Sequence, residues 1–165
     1  MNFPFPLLLS FCSMHATISV AQHEKTTQPF PSEQICVLSE PEALKLAKTR
    51  FGEAEQKGIS IFQPTSDNLN SIASLLPEFI SIKSRKISIR LNSYYIQVIG
   101  IRLKKSKFLF IHAIDKSIAL HAGVNWNKRA IIVADGDEFV WNVRFDPNSN
   151  RFTGLSTNGP DFSLN

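Results

Sequence analysis

Charge is missing from residues 1–21, MNFPFPLLLSFCSMHATISVA, and acid is missing from everything between Glu78 and Asp115. The uncharged opening reads as an export signal, with Ser19-Val20-Ala21 supplying small residues at the cleavage positions. A membrane span needs about 20 unbroken apolar residues, and Pro4, Pro6, Ser10 and His15 interrupt this stretch. No permanent membrane span is therefore expected, and the destination is the periplasm or the medium.

Cysteine is scarce. Cys12 lies inside the opening segment behind Phe11, where a lipidated cysteine would want a small residue before it. Once residues 1–21 are removed, Cys36 stands alone. One thiol makes no internal disulfide, so the core must hold the domain together. Flanked by Ile35 and Val37, Cys36 reads as a small buried hydrophobe. There is no Asn-x-Ser/Thr sequon, no Gly-x-Ser-x-Gly elbow, no phosphate-cradling glycine loop and no dinucleotide fingerprint. The histidines and cysteines do not cluster at ligand spacing, so neither a metal nor another cofactor is expected. Asp146-x-Asn148-x-Asn150 opens like a calcium loop, but Arg151 stands where glycine is needed and Thr157 where the bidentate glutamate belongs.

What is present is an aromatic-rich chain of 165 residues with 13 Phe, 2 Trp and 2 Tyr, enough for one domain with a real core. Residues 22–34 are polar, carry Pro29 and Pro31, and read as a flexible lead-in; the domain follows over 35–158, and 159–165 form a tail. Ser39-Glu40-Pro41-Glu42 reads as a capping box opening a helix with Ala43, Leu44, Ala47 and Phe51 on one stripe, ended by Gly52. Ile59–Phe62 suits a short strand, and Leu69, Ile72, Ala73 and Leu76 a second helix stopped before Pro77.

From Phe79 onward the apolar period becomes two. Strands are expected at Phe79–Lys83, Ile87–Leu91, Tyr95–Arg102 and Phe108–Ile114, with a turn at Lys104-Lys105-Ser106. Asp115–Lys128 reads as a long loop. Three closing strands, Ala130–Val133, Phe139–Phe145 and Arg151–Leu155, are separated by the turn formers Asp135-Gly136-Asp137 and Asp146-Pro147-Asn148. Helices first and strands afterwards define an α+β domain with amino-terminal helices packed on a curved antiparallel sheet, as in cystatin-like and nuclear-transport-factor-like folds.

Candidate functional residues fall into three groups. Asn125-Trp126-Asn127 sets an aromatic between two amides in the long loop, a binding anchor or the lid of a small core. Lys83, Arg85, Lys86 and Arg90, with Arg102, Lys104, Lys105 and Lys107, occupy the acid-free stretch and would form a positive rim if their strands are neighbours. Such a rim steers toward a protein or an anionic surface, or keeps sheet edges from pairing; export argues against nucleic acid. His112 and Asp135 are polar groups for a cavity lined by Phe108, Phe110, Phe139 and Trp141. Asp135, Asp137 and Glu138 lie in or beside a turn, where solvated acids are common.

Taken together, Tyr94–Gln97, Phe108–Ala113, Trp126, Val133–Trp141 and Asp146–Phe152 resemble small exported bacterial proteins of unassigned function that carry V-x-D-G-D-x-F-W and a D-P-x-x-x-x-F hairpin. In those proteins a cysteine often precedes the Asp-Gly turn; here Ala134 stands there, so a disulfide implied by the resemblance does not carry over. The resemblance implies export and domain shape, not a catalyst.

The leading expectation is a small exported protein that works through protein contacts, as an inhibitor, an immunity factor or a component of an envelope assembly. With no catalytic constellation in view, the sequence leans away from an enzyme. One alternative is a small-ligand-binding or hydrolytic domain with an apolar cavity near His112; another is a structural homodimer joined at an exposed edge strand.

Overall fold

In the computed structural model, residues 28–134 and 136–157 are described. The expected export segment 1–21, the expected tail 159–165 and Asp135 lie outside the described residues. Strands β3 (Tyr94–Leu103) and β4 (Ser106–Asp115) form the centre, 10 residues each. They pair antiparallel without a break, from Tyr94 opposite Asp115 to Leu103 opposite Ser106. On the far side of β4 come β5 (Val140–Asp146) and then β6 (Arg151–Thr157), both antiparallel. Two short strands share the other edge of β3: β1 (Ile35–Val37) runs parallel beside Ile96–Val98, and β2 (Ile59–Phe62) antiparallel beside Gly100–Leu103. The fold is a mixed α+β domain with a six-stranded, mostly antiparallel sheet.

Alternate side chains of a strand point to opposite faces, and here both faces are covered. Tyr94, Ile96, Val98, Leu109, Ile111, Trp141, Val143 and Phe145 pack with Ile72, Leu76 and Ile80 of α3 (Ser66–Lys83). Ile99, Ile101, Phe108 and Phe110 pack the other way, on Ala43, Leu46 and Ala47 of α1 (Glu40–Arg50) and on Phe51 beyond it. Double burial is why β3 and β4 read as nearly unbroken apolar runs.

α3 runs straight through Pro77, where the sequence predicted its end. Proline has no N–H, so the carbonyl of Ala73 loses its helical donor. The backbone N–H of Phe30 donates to it instead, at 2.8 Å. That contact seats Phe30 in the core, 2% exposed. The expected flexible lead-in is therefore structural from Phe30 onward, with a 3-10 turn at Ser32–Gln34. The other end of α3 is held by a capping box, in which Thr65 Oγ1 accepts from Asn68 N and Thr65 N donates to Asn68 Oδ1.

The predicted strands Phe79–Lys83 and Ile87–Leu91 are not strands. The first is the last turn of α3; the second falls on α4 (Arg85–Ser88) and a following 3-10 turn, Leu91–Ser93. Helical spacing wins because Leu69, Ile72, Leu76 and Ile80 continue one stripe. The alternating partners Ile82 and Ile89 are left 73% and 78% exposed. Asp115–Lys128 is not all loop either, since Asp115 caps α5 (Lys116–His121) by accepting from Ser117 N. Among the described residues, no helix is long and apolar enough to cross a membrane.

Candidate functional site

One polar residue interrupts each of three apolar strands, and the register lines them up. Gln97 of β3 stands opposite His112 of β4, which stands opposite Asn142 of β5. All three are fully buried. Polar groups out of reach of water must find partners. They find them in the segment after α5, Val124–Val133, which crosses the sheet face as irregular backbone.

Gln97 Nε2 donates to the carbonyls of Trp126 and Arg129, at 2.6 and 2.7 Å, and Gln97 Oε1 accepts from Ile131 N. The side chains of α1 add to the grip. Glu42 Oε2 accepts from Ala130 N at 2.8 Å, and an Arg50 Nη donates to the Val133 carbonyl. Glu42 therefore does not close the predicted capping box, and Ser39 makes no side-chain cap bond. Ala130–Val133 is strand-like in composition but pairs with no strand; side chains satisfy its backbone where a ladder would.

His112 is part of the same clamp. Its Nε2 lies 2.9 Å from the Ile131 carbonyl and its Nδ1 lies 2.6 Å from the side-chain oxygen of Asn142. A neutral imidazole carries one N–H, and the amide nitrogen of Asn142 is buried with no partner. With the two ends of that amide exchanged, Asn142 donates to Nδ1 and Nε2–H donates to Ile131, satisfying both ring nitrogens.

Burial first, and then the nearby Arg50 charge, push the pKa of His112 down to about 4, against the upward pull of the Ile131 carbonyl. The unfolded chain takes its proton near the ordinary histidine value of about 6.5. Stability from this group is therefore complete above about pH 6.5 and is lost as pH falls toward 4, by roughly 3 kcal/mol. Urea midpoints at pH 7.5 and 4.5 should show that loss, and His112→Gln should remove most of the difference; an equal loss in the variant would assign it elsewhere.

The clamp positions an aromatic pair. Trp126, half-buried, lies flat on Tyr95, with centroids 4.1 Å apart and planes 5° from parallel. Lys116 Nζ stands 5.4 Å from the Tyr95 ring centre. Asn125 and Asn127 flank the indole and are exposed, as are Lys128 and Arg129. Trp126 covers Ile114, Ala119, Ile131 and Val140, as the lid reading expects, and still reaches solvent.

The remaining candidates do not converge. Phe108 and Phe110 face α1, whereas Trp141 faces α3, so these rings lie on opposite sides of the sheet and cannot line one cavity beside His112. The expected positive rim is also divided. Arg90 lies at the Asp115 end of β4, bonding Asp115 Oδ2 at 2.7 Å, while Lys104 and Lys105 form the turn at the other end. Ten paired positions at about 3.3 Å rise put those ends roughly 30 Å apart. Burial works to raise the Asp115 pKa, but hydrogen bonds from Ser117 and Ser93 and the Arg90 charge hold it below the ordinary value. Arg90 is therefore a structural cation.

Cys36, expected as a small buried hydrophobe, is only part-buried; burial pushes its pKa up to about 12, and its Sγ lies 3.7 Å from the Trp126 carbonyl. Sequence reasoning overlooked Gln97, Tyr95 and Glu42. The available signal was the single polar residue inside each apolar run, YYIQVIGI, FLFIHAI and VWNV. No protein-family model, curated protein or solved structure matches this chain.

Proposed function

We propose that this is a small exported binding protein, acting in the periplasm or medium, that grips another protein through the surface around Trp126. The observation behind this reading is the Gln97 clamp. Three hydrogen bonds from one buried amide fix the backbone at Trp126 and just after it, at Arg129 and Ile131, so its side chain meets a partner with little ordering left to do. The polar groups that could have served chemistry, His112 and Gln97, are engaged in holding that backbone.

An inhibitor, an immunity factor and an envelope-assembly component all fit such a surface, as does the resemblance to small exported bacterial proteins. The finer likeness to cystatin-like or nuclear-transport-factor-like folds belongs to the same proposal. Its support is the long helix α3 lying across the antiparallel strands β3–β6.

A photo-crosslinking residue at Asn127, in the protein produced by its own cells, should trap a discrete protein adduct that disappears in Trp126→Ala. The same residue at exposed Lys57 should not trap it. Identical adducts from both positions, or none from Asn127, would remove the proposal.

A further inference from the structure

The turn between β3 and β4 accepts three local disadvantages. Arg102 and Lys107 are directly opposite each other in the ladder, an arrangement in which like charges repel. Lys104 adopts φ 54°, a left-handed conformation that glycine or asparagine takes with less strain. Lys105 adds a further cation, and all four side chains are exposed. Among the described residues, no carboxylate comes within ion-pair distance of any of them. Lys107 has only the Phe62 ring, its Nζ 4.5 Å from the centre.

Edge protection does not account for Arg102, which is paired on both sides, with Ser60 of β2 and with Lys107 of β4, whereas Lys107 lies beyond the last β4–β5 pair, Leu109 opposite Phe145. Places where a chain breaks several local rules together are where function is found.

Beside the turn, a groove of about 350 Å³ is lined by Lys105, Lys107, Phe108, Arg144 and Asp146 among others. Arg144 stacks over Phe108 and feels the charge of Glu55, and Asp146 accepts hydrogen bonds from Asn148 N and Ser149 Oγ. The charge that faces outward is therefore that of Arg102, Lys104, Lys105 and Lys107. The tip Lys104-Lys105-Ser106 carries no apolar side chain to insert into lipid.

We propose that this hairpin tip is a docking site for an acidic, carboxylate-rich segment of a partner protein, separate from the Trp126 surface. Tyr95, under Trp126, pairs with Ile114 near the other end of the same hairpin. The two surfaces therefore serve different contacts, and either can fail without the other.

The test is fluorescence anisotropy with a labelled deca-glutamate peptide, a deca-glutamine control and phosphatidylglycerol vesicles, at low and at physiological salt. The purified protein should bind deca-glutamate saturably and bind deca-glutamine at least about tenfold more weakly, with added salt loosening the complex. K104E/K105E should weaken binding about tenfold or more, while R85E/K86E, with the same change in net charge, should leave it within about twofold. Lys104→Gly should weaken binding while raising the unfolding midpoint, because the strained position is relieved. Equal losses in the two double variants would reduce the effect to net charge and overturn the proposal. So would absence of deca-glutamate binding, or tighter binding to the vesicles than to the peptide.

Discussion

Gln97→Leu is expected to destabilise the domain by roughly 3 kcal/mol or more, because it removes the partner of three backbone groups, one buried and two part-buried, at about 1 kcal/mol or more each. The shape is nearly conserved, so packing against the neighbouring strands changes little and the loss reports hydrogen bonding. The carbonyl of Arg129 loses its donor, that of Trp126 keeps only the weak Cys36 thiol, and the N–H of Ile131 loses its acceptor. If the segment lifts to reach water, it uncovers Ala130 and Ile131, 6% and 4% exposed, and takes the Ile131 carbonyl away from His112. Either route is costly in a domain whose whole stability is about 5–15 kcal/mol. Urea unfolding gives the magnitude. Tryptophan emission locates it: Trp141 is fully buried, so a red shift in the folded variant reports Trp126 leaving Tyr95. A loss below about 1 kcal/mol with unchanged emission would mean that Gln97 does not hold the segment.

Gly100→Ala is the second large effect, and it is steric. A Cβ built at Gly100 falls 2.2 Å from the Phe62 carbonyl oxygen and 2.9 Å from two atoms of its ring. The oxygen belongs to the backbone of β2, so no rotamer change relieves the contact; β2 must move away from β3. β2 has 4 residues, and Phe62 opposite Gly100 is one of its four pairs. Roughly 3 kcal/mol is expected, from overpacking and from loss of the adjoining ladder. Hydrogen exchange should accelerate at Ile59–Phe62 before it does in β4. A melting temperature within about 2 °C of the parent would show that β2 yields without cost.

The sequence was informative where one period dominated. β4, β5, the β5–β6 turn and α1 fall close to their expected places, because the apolar pattern and turn residues there agree with the tertiary burial. It misled where two periods overlapped. FISIKSRKISIR alternates like a strand, yet only Ile80 and Ile87 of its isoleucines are buried, the first on the stripe that α3 had already begun. Pro77 misled for a different reason. Whether a proline ends a helix depends on whether the freed carbonyl finds another donor, and the donor here is Phe30, far away in the chain. Glu42 shows the same limit: capping its own helix and bonding Ala130 N use the same carboxylate, and spacing cannot say which occurs.

For the candidate site, Trp126 with its flanking asparagines and the basic turn were both visible as residues. Their relation was not. The acid-free stretch looked like one rim, but the hairpin register sends Arg90 to one end and Lys104 to the other.

By itself, the sequence determined the class of domain, the centre of its sheet and the cationic turn, because these follow from local periodicity and turn chemistry. Only the tertiary structure decided that Gln97, His112 and Asn142 form one row, and that the row holds a strand-like segment off the ladder and Trp126 against Tyr95. The physical reason is that a buried polar side chain must be satisfied, but nothing in its local sequence names the partner.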